Sequence, residues 1–520
     1  MRADIKTNFI KDYQPGPDAV VELYNGKFTD VINGAYFPGG GSIFIKGGKI
    51  LTTPEAVNEP EKINPDFQVD LQGKTVMPGL FNTHCHVQML MPTLLPSWQE
   101  TRIAKRYRQM QLDKNMSDCL SHGVTYIRDA MSDDLRLNRI LKKRIDNREQ
   151  PGPRILQSVI VTQPDGYFSQ KYGLVMRIMR AVLGMPTLDF DDKESGILVF
   201  PVDADERTVR DAVDRAVDER GAEAIKVPEQ RMNLSSLKDD LSIMTMGQLE
   251  ALTDQARKRG LQSTIHQVTV ETFQRGVAGR VSSLAHMARD RNLSNEDTAA
   301  LIDADCIVEP TLSVGYDVAW PLDGVPAADH PDMKRLCEFR DHAFSFADLA
   351  DRFYIPELRE SVRRSYEYFI TGRMKLLGLI DMTRMMKLYA SVASYGVENF
   401  RKLFEGGARM ALANDGGISP CTPAMMGHEL ALFDLFLNHD PERRVFSGAA
   451  ALKIATINSA CSMGVQDRFG SLEAGKVADL VLVEGDPLAD FHVVGSRAVA
   501  VFMDGRLVVD NCGLEIRPAA

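Results

Sequence analysis

Two histidines one residue apart, His84 and His86 in Leu80-Phe-Asn-Thr-His84-Cys-His86, are the part of this sequence best suited to chemistry. Side chains alternate along a strand, so both imidazoles project to one side while Cys85 faces the other. Imidazole in its neutral form is the commonest protein ligand for a divalent transition metal, and this spacing lets two rings hold one ion. Other groups able to ligate or shape a metal site end later apolar runs: Lys226 in Ala-Ile-Lys-Val, His266 in Ser-Thr-Ile-His, His286 in Ser-Leu-Ala-His and Asp415 in Ala-Asn-Asp-Gly-Gly. Of ten histidines in the chain, the four just named end such runs, whereas the others, His122 among them, fall in helical or loop context.

These residues need a frame. Between 75 and 413, short runs rich in β-branched residues alternate with longer helical patterns such as 206–220 and 246–259. The runs are 75–83, 124–128, 154–161, 224–227, 261–265, 281–285, 306–310 and 409–413. Eight strand-then-helix units predict an α/β fold of the (β/α)8 barrel type, whose parallel strands bring their C-terminal ends to one rim. His84, His86, Lys226, His266, His286 and Asp415 all then meet at that rim. The stretch 315–394 breaks the rhythm. It is too long for a plain connection and is expected as a helical insertion over the active-site face. Subunit contact is an equal reading of it, and a homo-oligomer is expected.

Both ends of the chain have another texture. Runs at 20–25, 41–50 and 67–71 are punctuated by glycines, and runs at 478–483, 498–503 and 506–509 repeat the pattern around the turn Asp504-Gly505. Residues 1–75 and 466–520 are therefore read as one composite β-sandwich domain, with the barrel as 76–465. A length of 520 residues suits one large domain plus a satellite, and 25% charged with 44% hydrophobic residues is ordinary globular composition. A net charge of -10 argues against nucleic acid or an anionic membrane as the main partner, which leaves a small-molecule substrate. No run approaches the roughly 20 apolar residues of a membrane helix, and the N-terminus lacks a secretory apolar core. Seven scattered cysteines without a CxxC pair point to a reducing cytoplasm.

The His-x-His after Pro78-Gly79, the single Lys226, His266, His286 and the final Asp415 resemble the amidohydrolase superfamily. The resemblance is nearest to its imidazolonepropionase-like and Xaa-Pro dipeptidase-like members. Gly123-Val124-Thr125, Arg128-Asp129, Pro310-Thr311, His428-Glu429-Leu430 and the stretch 470–480 carry it further. It implies a TIM-like barrel with a composite β-sandwich, and a metal-dependent hydrolase of an amide-type C–N bond in a cyclic amide, N-acyl compound or dipeptide. By the same resemblance, His84, His86 and Asp415 bind one metal, His266 and His286 a second, and Lys226 becomes an N6-carboxylysine bridging both. Two zinc ions per chain are expected, activating a bridging hydroxide whose proton Asp415 passes to the leaving nitrogen.

Two departures bear on the substrate. Relatives often carry Gly-Gly-His after the third strand, where this chain has Asp165-Gly166-Tyr167. Tyr167 is either a substrate donor or a packing aromatic. Where relatives often have Gly-Thr-Asp, this chain has Ala413-Asn414-Asp415. Arg289, three residues past His286, suits a substrate carboxylate or a surface ion pair. Arg128 and Asp129 are read as stabilising the barrel rim, and Cys85 as structural. The rival readings are a mononuclear-metal deaminase, against which Lys226 argues, and a lactonase or phosphoester hydrolase on the same barrel.

Overall fold

In the computed structural model, residues 18–39, 41–52, 63–88, 98–132, 134–170, 190–233, 238–314, 346–371, 375–376, 380–381, 395–417, 421–438 and 442–519, with 16 and 440, are described. The strand Leu480–Val483 is buried along its whole length, and the period of two explains how. Leu480 and Leu482 pack with Val21, Leu23, Ile43 and Val69 inside a β-sandwich. Val481 and Val483 point the other way, into the core that also contains the barrel's strands and helices. The sheet carrying this strand is thus shared between two layers.

That sandwich is built from both ends of the chain. One sheet runs Ile516–Pro518, Phe67–Asp70, Val20–Tyr24, Ile43–Lys46, Lys49–Ile50 in spatial order. The other runs Arg506–Asp510, Ala500–Met503, Leu480–Val483, Thr75–Pro78, Lys27–Asp30, Ala35–Tyr36. The hairpin at Asp504-Gly505 closes with φ of 50° and 68°, the left-handed pair that a two-residue turn between twisted strands requires.

The first predicted run is two strands serving different sheets. Thr75–Pro78 pairs antiparallel with Leu480–Val483 in the sandwich, while Leu80–Cys85 pairs parallel with Val124–Asp129 in the barrel. Gly79 makes the crossing, and a Cβ there would stand 2.1 Å from Thr125 Oγ1. Only glycine fits.

The barrel proceeds through Leu80–Cys85, Val124–Asp129, Arg154–Thr162, Ala224–Pro228, Gln262–His266, Ser283–Ala285 and Ile307–Glu309, each paired parallel to the next. A short extra strand, Ile197–Val199, lies against the end of the third. The eighth run forms no regular ladder. It closes the barrel through Val308 N donating to Arg409 O, Ala411 N to Val308 O, and Thr83 N to Leu412 O, all at 2.9 Å. Helices cover the outside as their patterns demand. In Glu206–Asp218, Asp205 caps the first turn, and Val209, Ala212, Val213 and Ala216 face inward at helical spacing.

Within the insertion, helices Phe346–Phe353 and Pro356–Thr371 dock on helix Trp98–Ser121. Gln111 holds the turn between them, donating from Nε2 to Phe353 O and accepting at Oε1 from Ile355 N, both at 2.9 Å. Of the insertion 315–394, which the sequence reading places over the active-site face, residues 315–345, 372–374, 377–379 and 382–394 lie outside the described residues.

Candidate metal centre

Strand alternation delivers the first two histidines as expected. His84 Nε2 lies 3.3 Å and His86 Nε2 2.8 Å from the same atom, Asp415 Oδ1. Cys85 turns away, its thiol buried 3.5 Å from Arg128 O. Asp415 reaches the pair because its strand is laced to the first: Asp415 N donates to His84 O at 2.9 Å and His86 N to Gly416 O at 2.7 Å. His266 ends the fifth strand and His286 follows the sixth, their ring centroids 4.6 Å apart. The His286 ring is 5.1 Å from that of His84. Donor atoms of His84, His286 and Asp415 all fall within 4.8 Å of one another. Lys226 sits mid-strand, buried, its Nζ without a hydrogen-bond partner among the described residues. The geometry therefore brings together His84, His86, His266, His286 and Asp415, with Lys226 near enough to act electrostatically on His84, His266 and His286.

The protonation states suit a cation. Burial holds His266 and His286 well below the ordinary imidazole value, and burial with nearby Lys226 lowers His84. Neutral rings are the ligating form. His86 is the exception: burial lowers it, but the Asp415 carboxylate outweighs that and raises it. Burial would raise Asp415, yet His86 and His84 hold it well below the carboxylate range. Burial brings Lys226 down to about 7, with Arg128 pushing the same way and Glu309 opposing. A buried lysine nitrogen with no acceptor is costly as an ammonium and is therefore poised as a free amine. Four imidazoles, one carboxylate and that amine form a donor set that fits divalent metal, and an amine in this state fits carboxylation by CO2.

The sequence reading assigns several residues that shape this site no part in it, and it sets Arg128 at the barrel rim rather than inside. Arg128 lies wholly inside the barrel, where it pairs with Glu309 on the seventh strand and donates to Ser462 O at 3.3 Å. Glu309 Oε2 in turn stands 3.8 Å from His84 Nδ1. The signal was an acid inside the apolar run Ile307-Val308-Glu309, matched by an arginine inside another. Asp129 has the structural part expected: it accepts from Val87 N at 3.1 Å and from Ser132 and Asn138, fixing the chain just past His86. Gln230 goes unmarked in the sequence reading, and Thr311 and Glu429 enter it only as part of the family resemblance. Gln230 Oε1 is 2.8 Å from His266 Nε2, and Thr311 Oγ1 is 2.7 Å from His286 Nδ1. Glu429 accepts from Leu312 N and Ser313 N at 2.7 and 2.8 Å.

Tyr167 stacks on His266 with ring centroids 4.7 Å apart and planes 15° from parallel, and Phe168 packs edge-on against it. Arg289 is nearly buried, with its backbone N donating to Val268 O at 3.1 Å. Asn414 ties the first and eighth strands, accepting from Asn82 Nδ2 at 2.8 Å and from Gly416 N at 2.9 Å. His122 is buried against Phe353, with Nδ1 2.8 Å from Asp118 O, away from the site.

Over residues 75–508, well over half of the chain, the sequence matches the amidohydrolase family. It is 33% identical over 115 residues to the imidazolonepropionase of Symbiobacterium thermophilum, covering 21% of this chain and 25% of that protein. It is 28% identical over 129 residues to the 5-methylthioadenosine/S-adenosylhomocysteine deaminase of Acetivibrio thermocellus, covering 22% and 30%. The match thus spans less than a third of either curated relative. Among solved structures, a Xaa-Pro dipeptidase with bound methionine superposes with TM-score 0.60 at 18% identity, over 94% of this chain and 99% of that one. The ochratoxinase of A. niger gives TM-score 0.61 at 17% identity, over 95% and 96%. At such identities these structures establish the shared fold.

Proposed function

The chain belongs to the amidohydrolase family, and on that footing we propose that it is a metal-dependent hydrolase cleaving an amide-type C–N bond. The observation that carries the proposal is the convergence of His84, His86, His266, His286 and Asp415, with the buried Lys226, whose Nζ has no hydrogen-bond partner among the described residues, acting on the histidines. Two divalent cations, zinc in this reading, supply Lewis acidity and ionise water at neutral pH. Lys226, as a free amine, attacks the carbon of CO2 and loses one proton, giving an N6-carboxylysine that offers two carboxylate oxygens where an ammonium would offer no lone pair.

Asp415 works as the proton carrier. Attack by the oxygen of water on the substrate carbonyl carbon releases a proton, which Asp415 takes at a carboxylate oxygen. Breaking the C–N bond then requires a proton on the leaving nitrogen, and Asp415 returns it. Held below its ordinary value by the two histidines, the carboxylate is ionised. Tyr167, lying flat on His266, and Arg289, beside His286, are the proposed substrate contacts. Substrates in this reading are small: a cyclic amide, an N-acyl compound or a dipeptide.

Deamination is the second reading, supported by the 28% identity to a deaminase. A single-metal deaminase has no use for a bridging lysine, so Lys226 separates the two. A cytoplasmic homo-oligomer completes the proposal. No disulfide joins two of the six described cysteines, which supports the compartment, and no described helix is long and apolar enough to cross a membrane. The test is elemental analysis of the purified chain beside Lys226→Ala. About two metals per chain, falling with the substitution, is the expected result. One metal, unchanged by losing Lys226, refutes the binuclear site.

A further inference from the structure

Two of the four imidazoles are bonded by neighbours whose own polarity is fixed by a further bond. At His266, Nε2 lies 2.8 Å from Gln230 Oε1, and Gln230 Nε2 donates to Met232 O, also at 2.8 Å. A carboxamide nitrogen has hydrogens and no usable lone pair, so the carbonyl of Met232 claims the NH2 end and turns the oxygen to the ring. An acceptor there requires the proton on His266 Nε2. The lone pair is left on Nδ1.

His286 shows the reverse. Its Nδ1 is 2.7 Å from Thr311 Oγ1, and that hydroxyl donates its one hydrogen to Pro310 O at 2.8 Å. Oγ1 can therefore only accept from the ring, which puts the proton on Nδ1 and the lone pair on Nε2. Thr311 occupies the left-handed region at φ 48°, unusual for a β-branched residue. The Glu429 carboxylate sustains that bend by accepting both following backbone N–H groups.

We propose that Gln230 and Thr311 are positioning residues that lock His266 and His286 in opposite tautomers, leaving each ring one defined lone pair for a cation. The inference rests on the metal-dependent reading above only for what those lone pairs are for. Without the locks each neutral ring can place its proton on either nitrogen, and only one choice can ligate. Tyr167 fixes the plane of the His266 ring by stacking, whereas Gln230 decides which nitrogen carries the proton. Partners of this kind change metal affinity by roughly 10- to 100-fold when removed.

The test reads tautomers directly in the metal-free, full-length chain labelled with 15N in histidine, where long-range proton–nitrogen correlations distinguish Nδ1–H from Nε2–H. The parent should show His266 as Nε2–H and His286 as Nδ1–H. Gln230→Leu should mix the tautomers of His266 alone, and Thr311→Val those of His286 alone. The conservative variants Gln230→Glu and Thr311→Ser keep the acceptor and should restore each pattern. Zinc competition against a chelator should show about 10- to 100-fold weaker binding in the first pair and recovery in the second. Unmoved tautomers in Gln230→Leu and Thr311→Val, or Thr311→Ser behaving as Thr311→Val, overturns the proposal. If the tautomers shift as stated but the parent holds no zinc, the locks stand and the metal-dependent reading falls. If the parent holds zinc and the tautomers do not shift, the reverse follows.

Discussion

Replacing Arg128 by Met tests how the charges beneath the site are balanced. Arg128 and Glu309 are both fully buried and ion-paired, so water screens neither. Removing one partner of such a pair costs about 3–5 kcal/mol, because the remaining charge stays buried alone. Here a substitute stands nearby. Lys226 titrates near 7 in the folded chain because it is buried, with Arg128 pushing it further down and Glu309 pulling it up. Without Arg128, Lys226 can hold its proton and serve as the counter-ion of Glu309. The sign then follows. In the parent, an unfolded lysine near 10.5 binds more protons than the folded one near 7, so stability rises with pH across that window. In Arg128→Met the lysine is charged in both states and that gain is lost. The deficit of the variant should therefore widen by about 1.4 kcal/mol per pH unit between roughly pH 7 and 9. Urea denaturation of metal-free protein in CO2-free buffer measures it, with urea chosen because a salt denaturant would screen the charges. The double variant Arg128→Met/Glu309→Gln should recover most of the loss. A deficit below about 1 kcal/mol at both pH values, or a double variant costing the sum of its parts, refutes the account.

Glu429 offers a second pH signature away from the proposed metal ligands. Burial raises its carboxyl to about 7, against the pull of the Ser313 and Leu312 N–H bonds. A raised acid stabilises the folded chain below its unfolded value of 4.5, and that contribution is lost as pH rises through 7. Stability of Glu429→Gln relative to the parent, followed by urea midpoints of the metal-free chains, should therefore improve by about 3 kcal/mol from pH 4 to 8. A flat difference would show that Glu429 is ionised throughout. Gly79→Ala should cost about 1–3 kcal/mol by overpacking, since its Cβ meets Thr125 Oγ1 at 2.1 Å. Adding Thr125→Ala should return part of that in the same assay, and an unaffected Gly79→Ala chain would mean the crossing has slack.

The repeating strand-and-helix pattern and the residues that end its runs were legible because both follow from local rules. Alternation placed His84 and His86 on one side, and parallel strands brought Lys226, His266, His286 and Asp415 to the same rim. What stayed hidden depends on contacts between strands distant in sequence. The run 75–83 reads as one strand because nothing local marks the change of partner at Gly79 beyond a Pro-Gly pair. The eighth run is bound by a few hydrogen bonds on either side, too few for a ladder, and its apolar composition overstated its regularity. Glu309 resembles a surface charge until the barrel closes, and Arg128, expected at the rim, is then turned wholly inward. Gln230 carries no sequence signal at all, since a glutamine past a strand is commonplace and only the His266 ring gives it meaning.

Closure of the barrel and assembly of the site are one event, and the backbone shows why. His286, Thr311 and Asp415 all adopt left-handed φ, at 70°, 48° and 54°. For a residue with a side chain this costs about 1–2 kcal/mol each, so the three together store several kcal/mol. The compensation comes from neighbouring elements. His286 N donates to Glu309 O and Asp415 N to His84 O, both at 2.9 Å, while the two N–H groups after Thr311 are held by Glu429. A buried N–H left without an acceptor costs about 1–3 kcal/mol, so these four bonds are of the same size as the strain they oppose. None of them forms within a single strand. The bends that place His286 and Asp415 are therefore favourable only once the seventh strand lies beside the sixth and the eighth beside the first. Local propensity would straighten each of them. The convergence of the candidate metal-ligating residues is thus a property of the closed ring of strands, which is why residue spacing revealed the candidates and only the barrel reveals what holds them.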